Sequence, residues 1–134
     1  MKKVPKPEKQ IYTTAEALNS AKKAVNGSRV HVFGIAYKRD VNDMRESPAL
    51  DIMELLTRRG ATVTYTDPYI PSFEHGTLAL SSVDVATAAA ACDCALIVTD
   101  HKVFDYPAIA NTFPLVVDTR NALKGIANEK IFRL

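Results

Sequence analysis

Arg29-Val-His-Val-Phe-Gly-Ile-Ala-Tyr37 is rich in β-branched and aromatic residues and shows no polar alternation. Residues 29–36 therefore read as a strand buried on both faces, of the kind found in parallel sheets. Residues 38–46 are polar and read as a loop. Ser47-Pro48 then opens a helix, with Ser47 as the N-cap and Pro48 at the first helical position. Ala49, Ile52, Met53 and Leu56 fall at i, i+3, i+4 and i+7 and form its buried stripe, widened by Leu55. Asp51 and Glu54 lie toward its start and Arg58 and Arg59 in its last turn, which suits the helix dipole. Gly60 fits the position just past the C-cap. Residues 62–66 read as a second strand with Val63 and Tyr65 on one face, stopped by Asp67-Pro68.

Outward from this unit the alternation continues. Residues 1–12 read as an extended tail, because Pro5 and Pro7 break a helix and the lysines keep the stretch solvated. Thr13 or Thr14 caps a helix carrying Ala17, Leu18, Ala21, Ala24 and Val25, closed by Asn26-Gly27. Residues 69–82 are irregular by pattern, with a short strand at 77–79. Residues 83–91 form an alanine-rich helix, 94–99 a third strand, 107–111 a short helix, 115–118 the last strong strand and 131–134 a terminal edge strand. Strands alternating with helices imply an α/β fold: an open Rossmann-like parallel sheet with helices on both faces, built by βαβ crossovers. The chain of 134 residues fits one domain over 13–134, with 1–12 as tail or linker.

Composition narrows the function classes. Apolar residues make up 47% and charged residues 24%, ordinary usage for a soluble domain. The net charge of +2 comes from Lys2, Lys3, Lys6 and Lys9, and the remainder is slightly acidic. This argues against a nucleic-acid surface while leaving room for one local basic pocket. No stretch approaches a membrane span, and no apolar signal segment follows the basic start, so a cytoplasmic location is expected. Cys92 and Cys94 stand two apart, a spacing that shares one face of a strand. They read as small buried thiols, since no other ligand completes a metal site, and no metal is expected.

In an open parallel sheet, ligands bind beyond the carboxyl ends of the strands. There the sequence places Lys38, Arg39, Asp40, Asp43 and Arg45 after the first strand and Asp67 after the second. Asp100 and His101 follow the third, and Asp118, Arg120 and Asn121 the fourth. Lys38, Arg45 and Arg120 are cations that can converge on an anion such as a diphosphate. The same charges also pair within loops, as Asp43 with Arg45 or Asp118 with Arg120. After the first strand stands Gly34-Ile-Ala-Tyr-Lys38, with one glycine where a dinucleotide loop needs G-x-G-x-x-G. No P-loop and no nucleophile elbow is present. His31 reads as a core or edge residue, His75 as exposed, and His101 as the best placed of the three.

The stretch from Val32 to Pro48 carries Gly34, Ala36, Tyr37, Lys38, Asp43, Arg45, Glu46, Ser47 and Pro48 in the pattern G-[apolar]-A-[aromatic]-K, then D-x-R-E-[ST/A]-P. With the strand ending Tyr65-Thr-Asp-Pro-Tyr69, Ala95-Leu-Ile-Val-Thr-Asp-His101 and Val116-Val-Asp-Thr-Arg-Asn121, it resembles the C-terminal UDP-binding domain of the UDP-glucose/GDP-mannose dehydrogenase family. The resemblance runs from about Val30 to the C-terminus. It implies an oxidoreductase that converts the C6 alcohol of a nucleotide sugar to a carboxylate with two NAD+, in polysaccharide biosynthesis. By that comparison Lys38 and Arg120 contact the UDP-sugar, Tyr37 packs beside it, Arg45 faces the NAD across the domain cleft, and Glu46 orients Arg45.

The family's NAD-binding domain and its cysteine-bearing central region have no counterpart in this chain. Cys92 and Cys94 lie outside the nucleophile's context, so no catalytic residue is expected here. NAD would be bound mainly by a domain outside the chain, and the chain alone should be inactive. It reads as a fragment or excised domain whose partners are a UDP-sugar and the missing domains. Two alternatives stay open: a stand-alone nucleotide-sugar-binding module without redox activity, and a domain that mainly completes a homo-oligomer.

Overall fold

The structure, a computed structural model, describes residues 7–45 and 47–134. Glu46, expected to orient Arg45, and the extended reading of 1–6 lie outside the described residues. Eleven elements follow one another: α1 (Pro7–Ser20), β1 (Arg29–Phe33), α2 (Pro48–Arg58), β2 (Thr62–Thr66), β3 (Ser72–His75), β4 (Leu78–Ser81), α3 (Val85–Ala91), β5 (Cys94–Ile97), α4 (Tyr106–Thr112), β6 (Val116–Asp118) and β7 (Ile131–Arg133). The main sheet has the order β2-β1-β5-β6-β7, every pair parallel. Counted along the chain, its strands run 2-1-3-4-5. The direction of winding therefore reverses between β1 and β5, and this switch point opens a crevice at the carboxyl ends of those strands.

The central unit forms as its residues dictate. Ser47 adopts φ −69°, ψ 131°, and its Oγ accepts the Ala49 amide at 3.2 Å, with Pro48 beginning the helix. Ala49, Ile52, Met53 and Leu56 are fully buried, and Leu50 joins them. At the other end Gly60 takes φ +93°. Its amide donates to Thr57 and that of Ala61 to Leu56, each at 3.0 Å, which closes a Schellman cap. β1 stops at Phe33, three residues short of the expected end, because Gly34 turns to φ +82°.

Three local expectations are corrected. α1 begins at Pro7 rather than at a cap on Thr13 or Thr14, so residues 7–12 are helical. Proline suits a helix start as well as it breaks a helix interior. Thr14 meets its hydroxyl's need inside the helix, donating to Gln10 O at 2.7 Å. The helix ends at Ser20 rather than at Asn26, with Lys22 at φ +61° reversing the chain. Residues 69–82 hold an antiparallel hairpin, β3 paired with β4, where one short strand was expected.

Successive strand residues feed two separate cores. Val30, Val32, Val63, Tyr65, Leu96 and Val117 pack with α1 and α2 residues such as Leu18, Ile52 and Met53. Phe33, Ala95, Ile97 and Val116 pack with Ala88 of α3 and Ile109 of α4. The helices thus cover both faces of the sheet. This also separates the cysteines, which do not share a face: Cys92 caps α3 in the second core, and Cys94 begins β5 in the first.

Candidate ligand edge at the carboxyl ends of β1, β5 and β6

The loop after β1 is braced from two neighbouring strands. Asp67, fully buried at the end of β2, takes the amides of Ile35 at 2.8 Å and Ala36 at 3.0 Å on Oδ2, and that of Tyr69 at 2.9 Å on Oδ1. His101 beyond β5 is also fully buried. Its Nδ1 accepts the Asp40 amide at 2.8 Å. That assigns the ring proton to Nε2, which faces Asp67 Oδ2 at 2.9 Å. Burial pushes the Asp67 carboxyl up, but hydrogen bonds from His101, Tyr69 and Ile35 outweigh it and hold it below its ordinary value. Thr99 Oγ1 donates to Ala36 O at 2.7 Å, and Asp40, at φ +60°, accepts the Lys102 amide at 2.9 Å. Asp67 and His101 thus brace the loop after β1. Their position at strand ends was visible in sequence, but their burial was not.

The cations sit on this braced edge without all converging. Tyr37 is half exposed, its amide held by Asp43 O at 2.5 Å. Lys38 is exposed and makes no ion pair among the described residues. Arg39 Nη2 lies 2.5 Å from Asp100 Oδ2, and Arg120 Nε lies 3.7 Å from Asp100 Oδ1. Arg120 therefore shares a carboxylate with Arg39, a residue that motif reasoning passed over. Arg45 clasps Asp43 through Nε at 3.1 Å and Nη2 at 2.8 Å. Hydrogen bonds from Arg45 lower the Asp43 carboxyl to about 2. Asp118 is buried and does not pair with the Arg120 side chain. It accepts the backbone amides of Arg120, Ala122 and Leu123 at 2.8–3.1 Å and so shapes the loop after β6.

The end of β1 offers no cradle for a dinucleotide pyrophosphate. Such a cradle needs free backbone amides at the first strand's end. Here the Gly34 amide is spent on Thr66 O at 3.0 Å, and those of Ile35 and Ala36 on Asp67. At the end of β1 itself, an anion would therefore meet side-chain charge rather than these three amides.

The cysteines are unsuited to nucleophilic work. Burial raises both thiols, that of Cys94 to about 12. Away from this edge, Asp51, Glu54 and His75 bring ligand atoms within 4.8 Å of one another. Glu54 there already pairs with Arg58 at 3.4 Å. An apolar groove of about 410 Å³ lies between α3 and α4 and holds none of the expected site residues. No described helix is long and apolar enough to cross a membrane.

The strand order and the two helical layers define an open parallel α/β domain. The chain belongs to the UDP-glucose/GDP-mannose dehydrogenase family, whose UDP binding domain matches residues 31–125. UDP-N-acetyl-D-mannosamine dehydrogenase of Methanococcus maripaludis is 32% identical over 124 residues, covering 84% of this chain and 27% of that protein. UDP-glucose 6-dehydrogenase of Rhizobium meliloti is 34% identical over 106 residues, covering 72% and 24%. Among solved structures, UDP-D-ManNAc dehydrogenase of Pyrococcus horikoshii superimposes with a TM-score of 0.76 at 25% identity, covering 95% of this chain and 30% of that one. The matched part of the chain thus spans 24–30% of the length of these relatives.

Proposed function

We propose that this chain forms the UDP-sugar-binding wall of an NAD-dependent nucleotide-sugar 6-dehydrogenase. The observation that carries the reading is the placement of cations at the switch point. Arg39 and Arg120 meet on Asp100 there, and Lys38 stands exposed beside Arg39. Lys38 and Arg120 neutralise the diphosphate, and Tyr37 packs beside the sugar nucleotide. Arg45, steadied by Asp43, reaches toward a cofactor held by another domain. Oxidation at C6 draws its hydride acceptor, NAD, from outside this chain, and the spent amides of Gly34, Ile35 and Ala36 agree with that division. The chain alone therefore binds and does not turn over. Its two free thiols suit a reducing compartment, and the reading places it in the cytoplasm.

Titration calorimetry of the chain with UDP and with a UDP-sugar tests this. Lys38→Ala and Arg120→Ala should each weaken UDP about 10-fold, the cost of one charge-assisted contact. If UDP affinity is measurable and both variants leave it unchanged, the site assignment fails. NADH formation by the isolated chain would refute its role as one wall of a larger site.

A further inference from the structure

We infer that Asp100 is a positioning residue. It ties Arg39 and Arg120 into one anion-binding pair across the switch point, and binding of a diphosphate there depends on it. The inference rests on the reading of this edge as the ligand edge. Three observations carry it. First, the two arginines come from loops after β1 and β6, strands that are not neighbours, and Asp100 follows β5, the strand between them. Among the described residues neither guanidinium has another ion pair. Without Asp100, two like charges would share the crevice and repel each other.

Second, the burial is one-sided. The Asp100 side chain is only 10% exposed, whereas those of Arg39 and Arg120 are 53% and 42% exposed. The carboxylate is an interior anchor, and the cations remain open to a ligand. Third, Asp100 Oδ1 is buried and accepts no hydrogen bond among the described residues. Arg120 Nε, at 3.7 Å, is close enough for an ion pair and too far for a hydrogen bond. A buried acceptor left unmade is costly. A diphosphate placed between the guanidinium groups relieves their mutual repulsion, so Arg120 can close on Oδ1. The ligand and the anchor then favour the same arrangement of Arg120.

The sign of one substitution separates positioning from bulk charge. Asp100→Asn removes a negative charge beside an anion site. If Asp100 acted through charge alone, inorganic pyrophosphate would bind the variant more tightly. Positioning predicts the reverse, a loss of about 10-fold. Asp100→Glu keeps the charge but shifts it by one methylene, and it should also weaken binding should Asp100→Asn fail to fold. The Asp100→Asn loss should largely vanish in an Arg120→Ala background, since the anchor then has less to hold. The experiment is calorimetry of the chain with pyrophosphate and with UDP, with melting curves to confirm folding. Unchanged or tighter pyrophosphate binding by folded Asp100→Asn overturns the inference, as does an undiminished effect without Arg120 or a wild type that ignores pyrophosphate. UDP binding no tighter than pyrophosphate would instead count against the nucleotide reading and leave the arginine pair standing.

Discussion

His31 lies fully buried in β1, its Nδ1 2.7 Å from Thr64 Oγ1 and its Nε2 2.7 Å from Thr66 Oγ1. Thr66 gives its own proton to Val83 O at 2.6 Å, so its oxygen accepts from Nε2–H. Burial lowers the pKa of His31 from 6.5 to about 4. Between these values the unfolded chain takes up a proton that the folded chain refuses. Stability contributed by this group is therefore complete above pH 6.5 and is lost as the pH falls toward 4, by about 3 kcal/mol at most. Urea unfolding of wild type and His31→Gln between about pH 7 and pH 4.5 checks this. Wild type should lose stability more steeply than the variant, and parallel curves would contradict the assignment. His31 was legible in the sequence as a strand residue, in the core or at an edge, and the structure places it in the core. The hydroxyl pair that satisfies it was not, because Thr64 and Thr66 join it only through the register of β1 on β2.

At the scale of elements, the turn out of β1 is the tightest constraint. Gly34 takes φ +82°, and a Cβ there would collide with the Thr99 backbone. Backbone cannot swing aside as a side chain can. Gly34→Ala should therefore cost roughly 2 kcal/mol or more in denaturant unfolding, from left-handed strain plus the clash. A loss under about 0.5 kcal/mol would show that the turn relaxes freely. Legibility at this scale followed how local each signal was. The bounds of β2 and the capped start of α2 follow from neighbouring residues, and both formed as expected. The hairpin β3–β4 was missed because Phe73 and Leu78 pack into the first core through contacts with distant residues. α1 was misplaced because Pro7 was read as a breaker. Beyond the carboxyl ends of the strands, the cations were legible by residue type and position. The shared anchor at Asp100 was not, because strand order had to bring β5 between β1 and β6.

At the scale of the molecule, the sheet divides two cores that each hold one thiol, Cys94 fully buried and Cys92 8% exposed. Neither core opens without exposing strand backbone. Thiol labelling with a chromogenic disulfide should therefore be slow in native buffer and complete in denaturant. Rapid labelling of either cysteine in the native state would mean that its core opens independently. The closed backbone at the end of β1 has a consequence of another kind. With the Gly34, Ile35 and Ala36 amides committed inward, the turn out of β1 holds no rigid mould for a particular anion. This edge presents long cationic arms rooted on a fixed frame. Exchanges among such arms leave the frame untouched, so the repertoire of ligands can drift over evolutionary time while the architecture stays constant.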